Sequence, residues 1–165
     1  MDLNERSTDK IVVIGFDIEW KVDFKTQAYH DTATVQVCES ESKCYGFHVS
    51  VMKSFPSELK RILSNERILK VGVGINGDMN RLECETGVKP NGIVDLSKLA
   101  DKKLGTTENW SLAGLATNQL GYRLRKNYDV RCGDWEEYPL SDAQLEYAAL
   151  DAYASLLVYQ KLVSL

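Results

Sequence analysis

Ile11-Val-Val-Ile-Gly-Phe-Asp17-Ile-Glu19-Trp20 joins a hydrophobic strand to a pair of acids. Its run of β-branched and apolar residues predicts a buried strand. Strand periodicity points Asp17 and Glu19, two positions apart, to one face. Two carboxylates side by side at the tip of such a strand repel each other unless cations or a shared proton compensate them. The segment therefore reads as half of a metal site, with a solvated strand end as the competing reading.

The neighbouring sequence supplies partners for that strand. A polar loop at 21–31 leads to two alternating stretches, 33–39 and 43–49, joined by the short turn 40–42, which predicts an antiparallel meander. Ser54-Phe-Pro-Ser-Glu starts a helix to about Leu63, with Ser57 as its cap and Leu59, Ile62 and Leu63 as its apolar face. A fourth strand is expected at 67–73, a helix opening near Asp78, and a short fifth strand at 93–94. Helices follow at 95–104, 111–120 and 141–162; Asp95 caps the first, and Ser141-Asp-Ala-Gln144 has the form of a capping box. The order predicts an α/β fold, a mixed sheet with helices packed on it.

Composition sets the outer limits. At 165 residues, 44% hydrophobic and 27% charged, the chain suits one globular domain. The expected division is an N-terminal tail at 1–10 and a domain at 11–165. Apolar stretches fall short of a membrane span, and the polar start does not resemble a secretory signal, so an intracellular protein without a membrane partner is expected. The net charge of −4 excludes a basic footprint over the whole domain. A nucleic-acid partner must then meet a local patch or bound metal ions. Cys38, Cys44, Cys84 and Cys132 show no CxxC pair or zinc spacing and read as reduced, mostly buried thiols.

Gly72-Val-Gly74-Ile-Asn-Gly77 matches a dinucleotide fingerprint, with Asp95 near the distance for a ribose-binding acid. Two features oppose it. Asp78 places a carboxylate where a pyrophosphate would dock, and the helical remainder lacks a second mononucleotide half. The glycines read instead as sites of close strand packing.

The last helix completes an acidic constellation. Tyr147 and Asp151, four apart, share one helix face. Leu145, Ala148, Ala149, Ala152 and Leu156 form the packing face, whose alanines let the helix approach the sheet. Asp17, Glu19, Asp78 and Asp151, if they converge, need divalent counter-charge, and oxygen ligands select Mg²⁺ or Mn²⁺. Two such ions roughly 4 Å apart clamp the attacking and leaving oxygens of a phosphoryl displacement. Tyr147 is then placed to orient the attacking water.

Phe-Asp17-Ile-Glu19-Trp, Gly-Ile-Asn-Gly-Asp78 and Tyr147-x-x-x-Asp151 resemble the motifs of the DEDD exonucleases of the tyrosine variant, most of all the Werner-type exonuclease domains. Similar segments run from about Ile11 to Leu162, among them Lys102-Lys-Leu104, Trp110-Ser-Leu112, Arg131-Cys132 with Trp135, and Pro139-Leu140. The resemblance implies an RNase H-like fold and removal of nucleoside 5′-monophosphates from 3′ ends of DNA. By matching position, Asp17, Glu19, Asp78, Tyr147 and Asp151 are the catalytic set. Asp17, Glu19 and Asp151 hold one ion, Asp17 shares the second, and Asp78 holds it largely through water. Ile18, Trp20, Asn80, Arg131 and Trp135 are the implied substrate contacts, although Trp135 reads better as a packing residue.

Departures from the family fall at Asn80, where relatives carry a bulky aromatic, and in the 21–31 loop with its Asp31; both bear on substrate preference and processivity. Lys102, Lys103, Arg123, Arg125, Lys126 and Arg131, flanked by Trp110, Tyr122, Tyr128 and Trp135, form the main basic concentration and suit a single-stranded 3′ terminus. Their competing reading is a solvated face. His48 reads as a satisfied core histidine. No nucleotide-binding G-x-x-x-x-G-K-[ST] is present, so no helicase motor is expected in this chain. Nuclear location and helicase or repair partners follow from the resemblance alone. The rival functions are an RNase D-like RNA exonuclease and an inactive nucleic-acid or protein-binding module.

Overall fold

A computed structural model describes residues 10–125 and 127–165. Most of the expected tail, and Lys126 of the basic run, lie outside the described residues.

The first strand, β1 (Val12–Trp20), is the sheet's third, flanked by β2 (Thr32–Ser40) and β4 (Ile68–Gly72), with β3 (Lys43–Phe47) and β5 (Ile93–Asp95) at the edges. β1, β2 and β3 run antiparallel as a meander, whereas β4 and β5 continue parallel to β1. The helices are α1 (Ser57–Ser64), α2 (Ile75–Thr86), α3 (Leu96–Leu104), α4 (Leu112–Leu115), α5 (Tyr128–Arg131) and α6 (Asp142–Val163). Mixed pairing follows from the connections: the 21–31 loop and the tight turn after β2 join the meander without a crossover, while helical crossovers bring β4 and β5 back in parallel.

Alternation along β1 divides the core. Ile14, Phe16 and Ile18 pack with Leu59, Ile62, Leu63, Met79 and Leu82 beneath α1 and α2. Burying each is worth about 1.5–3 kcal/mol. The odd positions, Gly15, Asp17 and Glu19, face α6, and a methyl on Gly15 would overlap the Ala152 carbonyl. That close approach carries Asp151 to the sheet. Lys70 is fully buried on the α1 side, its Nζ donating to the carbonyls of Ile62 at 2.9 Å and Asn65 at 3.0 Å. Its charge thereby closes the C-terminal turn of α1, and burial lowers its pKa to about 8.

Several expectations need correction. Ser57 does not cap α1: Pro56 holds the cap position, and the Ser57 hydroxyl donates to Glu58 instead. The strand expected to reach Val49 ends at Phe47, where the chain tightens into a 3₁₀ turn at Val49–Val51. The 111–120 helix is one α-turn followed by a π-turn at Ala116–Leu120. α2 opens at Ile75, three residues before Asp78, because Gly74 (φ 68°) turns the chain out of β4. Of the three fingerprint glycines only Gly72 is closely packed, against the Phe16 carbonyl; Gly77 has open space. Leu145 is 51% exposed, one turn before the Ala148–Ala152–Leu156 seam. All four cysteines are free, but Cys38 alone is buried and Cys84 is exposed. Asp95 does cap α3, accepting from Ser97 N at 3.0 Å, and Ser141 and Gln144 form the capping box. None of the described helices is long and apolar enough to cross a membrane.

Candidate active site

Three elements meet at the C-terminal end of β1. β1 presents Asp17 and Glu19, α6 presents Tyr147 and Asp151, and the first turn of α2 presents Asp78. Asp17, Glu19 and Asp151 each offer a carboxylate oxygen within 4.8 Å of the others. Asp78 stands outside this mutual group, yet its charge acts on both Asp17 and Glu19. The four predicted acids therefore gather as three and one.

Their electrostatics records an unmet demand for positive charge. Loss of water and then repulsion by Glu19, Asp151 and Asp78 hold the Asp17 carboxyl well above its ordinary range. Burial and Asp151 push Glu19 up to about 8, against the pull of Arg131. Burial raises Asp78 to about 7 and Asp151 to about 6. Three oxygens from hard ligands, close together and short of counter-charge, are a donor set that a divalent cation satisfies.

Tyr147 stands one helical turn before Asp151 on the same side of α6, and burial followed by the charge of Asp151 keeps its phenol protonated, raised above its usual pKa. Arg131, exposed at the end of α5, acts electrostatically on Glu19, Asp151 and Tyr147. α5 is too short to leave a periodic signal; Asn127 caps it through Val130 N at 3.3 Å.

The other candidate substrate contacts separate. Trp135 is wholly buried and offers no face to a base, which removes it from that list. Ile18 is 2% exposed, on the opposite face of β1 from the acids, and can meet a ligand only through its backbone. Trp20 is half-buried with Arg81 against its ring at 4.2 Å. Asn80 is exposed on α2, turned away from Asp78 by its two-residue offset. Lys102 and Lys103 lie in the last turn of α3, and Trp110 packs half-buried against the cluster of Val71, Leu96, Leu115 and Val158. Arg123, Arg125 and Tyr122 instead line a cavity of about 870 Å³ that Tyr147 and Leu150 also line. His48, half-buried, has its Nε2 2.9 Å from the Trp135 carbonyl.

Arg81 is a site residue that sequence reasoning missed. It stacks between Trp20 and Tyr29 (4.5 Å), pairs with Glu85 at 3.0 Å and donates to the His30 carbonyl at 2.7 Å. Its charge opposes the rise of the Asp78 pKa. Its three-residue spacing from Asp78, which puts both on one side of α2, was the available signal.

Comparison with known proteins gives this geometry a family. A 3′-5′ exonuclease family profile matches residues 2–165. The bifunctional 3′-5′ exonuclease/ATP-dependent helicase WRN of Mus musculus is 46% identical over 164 residues, 99% of this chain and 12% of that protein. A 3′-5′ exonuclease of Arabidopsis thaliana is 38% identical over 162 residues, 98% of this chain and 56% of that one. The chain thus spans only part of the length of these relatives. Escherichia coli RNase D, described as an exoribonuclease of structured RNA processing, superposes with a TM-score of 0.77 at 26% identity, over 93% of this chain and 39% of its own. Trypanosoma brucei RNase D shares the fold, with a TM-score of 0.79 at 24% identity over 93% of this chain and 58% of that chain. The fold is RNase H-like, and with the profile covering nearly every residue, this chain belongs to the 3′-5′ exonuclease family.

Proposed function

We propose that this domain hydrolyses terminal phosphodiester bonds of DNA from the 3′ end with two divalent ions, Mg²⁺ or Mn²⁺, releasing nucleoside 5′-monophosphates. The observation that carries this reading is the group of three carboxylates within 4.8 Å, with raised pKa values, facing both Tyr147 and Arg131. Asp17, Glu19 and Asp151 would hold one ion, with Asp17 and, through water, Asp78 holding the second. When bound, the ions supply the charge that stabilises the attacking and leaving oxygens.

The chain's own groups do the rest. Tyr147, protonated and one helical turn from Asp151, orients a water toward phosphorus on the side away from the 3′ oxygen. Arg131 meets the non-bridging phosphate oxygens, in a cluster otherwise acidic. The strand approaches along Arg123, Arg125 and the exposed Tyr122 and Tyr128. Water adds to phosphorus, the 3′ oxygen leaves with a proton, and the strand is one nucleotide shorter.

The DNA assignment follows the resemblance of the acid motifs to Werner-type exonuclease domains, with 46% identity to a bifunctional 3′-5′ exonuclease/ATP-dependent helicase in its support, whereas the 26% identity to RNase D favours RNA as the second reading. A nuclear setting, helicase or repair partners, and a domain spanning 11–165 belong to the same proposal. Of DNA and RNA strands labelled at the 5′ end, the DNA should give a ladder shrinking from the 3′ end with Mg²⁺ or Mn²⁺, and none with chelator; a ladder on the RNA alone would favour the second reading. Intact strands under every metal condition, with binding retained, would instead make the domain a binding module.

A further inference from the structure

Trp135 is fully buried, yet it touches two groups of the site and is held by a third residue outside it. Its ring packs against Tyr147, with centroids 6.2 Å apart and planes tilted by 49°. Its indole Nε1–H donates to the Arg131 carbonyl at 2.9 Å, and its own carbonyl is the partner of His48 Nε2 at 2.9 Å. The preceding residue is tied as firmly: Asp134 accepts from Lys21 Nζ at 2.6 Å, and its carbonyl accepts from Gln144 Nε2 at 3.0 Å.

We propose that Trp135, anchored by His48, is a positioning residue that sets the Tyr147 hydroxyl and the Arg131 guanidinium on the acid cluster. The proposal rests on the exonuclease reading of that cluster. Tyr147 also lines the 870 Å³ cavity, so its ring has room to turn away from Asp151. The Trp135 ring walls it on the other side. Arg131 ends a helix of four residues, too short to hold its own geometry, and the indole N–H fixes its backbone. A phenylalanine would keep an apolar ring against Tyr147 without directing a donor to Arg131. The indole's hydrogen bond and ring contact, taken together, say more than packing alone requires.

The test is a set of double-mutant cycles on steady-state hydrolysis of a labelled strand. Trp135→Phe is measured in the parent and in Tyr147→Phe and Arg131→Gln backgrounds, with folding checked by circular dichroism. In the parent, kcat/KM should fall about tenfold; in each background the further loss should shrink to about twofold, because residues acting through one another are not additive. Equal losses in all three backgrounds, or no loss in the parent, overturn the proposal. Should Trp135→Phe not fold, His48→Ala replaces it in the same cycles, and His48→Gln, which restores a donor toward the Trp135 carbonyl, should recover the parent rate. A His48→Ala loss that multiplies unchanged through both backgrounds, or no His48→Ala loss in the parent, likewise overturns it. A parent that hydrolyses no strand with Mg²⁺ or Mn²⁺ sinks the exonuclease reading itself. A parent that hydrolyses normally while the losses multiply sinks only the positioning role.

Discussion

Asp17 sits at the centre of the cluster's repulsion: it loses water and faces Glu19, Asp151 and Asp78 together. Asn is nearly the same shape and removes the charge. Asp17→Asn should therefore stabilise the metal-free protein at about pH 8, raising Tm by roughly 2–4 °C if the relief is about 1 kcal/mol. The same substitution should abolish the Tm rise produced by Mg²⁺ or Mn²⁺ and take hydrolysis to background. Differential scanning fluorimetry with and without metal checks both. A variant less stable than the parent at that pH, or one that still responds fully to metal, contradicts the role given to Asp17.

The seam between β1 and α6 converts sequence into site geometry, and Gly15 is its critical contact. A methyl there would collide with the backbone carbonyl of Ala152, which has no flexible side chain to move aside. Gly15→Ala should push α6 outward and carry Asp151 away from Asp17 and Glu19. The expected cost is about 3 kcal/mol or more, the upper part of the overpacking range, read from urea unfolding, together with weakened Mn²⁺ binding by calorimetry. Unchanged metal affinity would mean the helix does not set the acid spacing. Much of this seam was legible in the chain: period-two spacing placed Asp17 with Glu19, and period-3.6 spacing placed Tyr147 with Asp151. The alanines of α6 announced close approach. What was not legible depended on long-range contacts. Arg81 matters through Trp20 and Tyr29, Trp135 through Tyr147 and His48, and the four residues of α5 are too few for any periodicity. Ser57 misled because a serine after proline looks like a cap, whereas the proline itself took that place.

Across the whole molecule the raised acids link folding to pH. Glu19 goes from 4.5 to about 8, Asp78 from 3.8 to about 7 and Asp151 from 3.8 to about 6. Between these limits the folded, metal-free chain binds more protons than the unfolded chain, so its stability falls as pH rises. Lys70, lowered from 10.5 to about 8, acts in the opposite sense only above that window. Metal-free Tm should decline from about pH 5 to about pH 8, and saturating Mg²⁺ should flatten the decline, since deprotonated acids are the ligands. A metal-free Tm that climbs through the window contradicts the cluster's electrostatics. Strand binding should also carry the mark of an acidic domain. With a net charge of −4, the phosphate contacts proposed here come from the local group Arg123, Arg125 and Arg131. Three contacts to single-stranded DNA give a slope of log K against log salt of about −2, at roughly 0.7 per phosphate. Replacing Arg123 and Arg125 together by alanine should bring that slope up to about −0.7, with affinity lowered alike for all sequences. Fluorescence anisotropy over a salt series, with Asp17→Asn protein so that the strand survives, measures it. A parent slope steeper than about −4 would require a basic surface beyond these arginines, and an unchanged slope in the double variant would place the strand elsewhere.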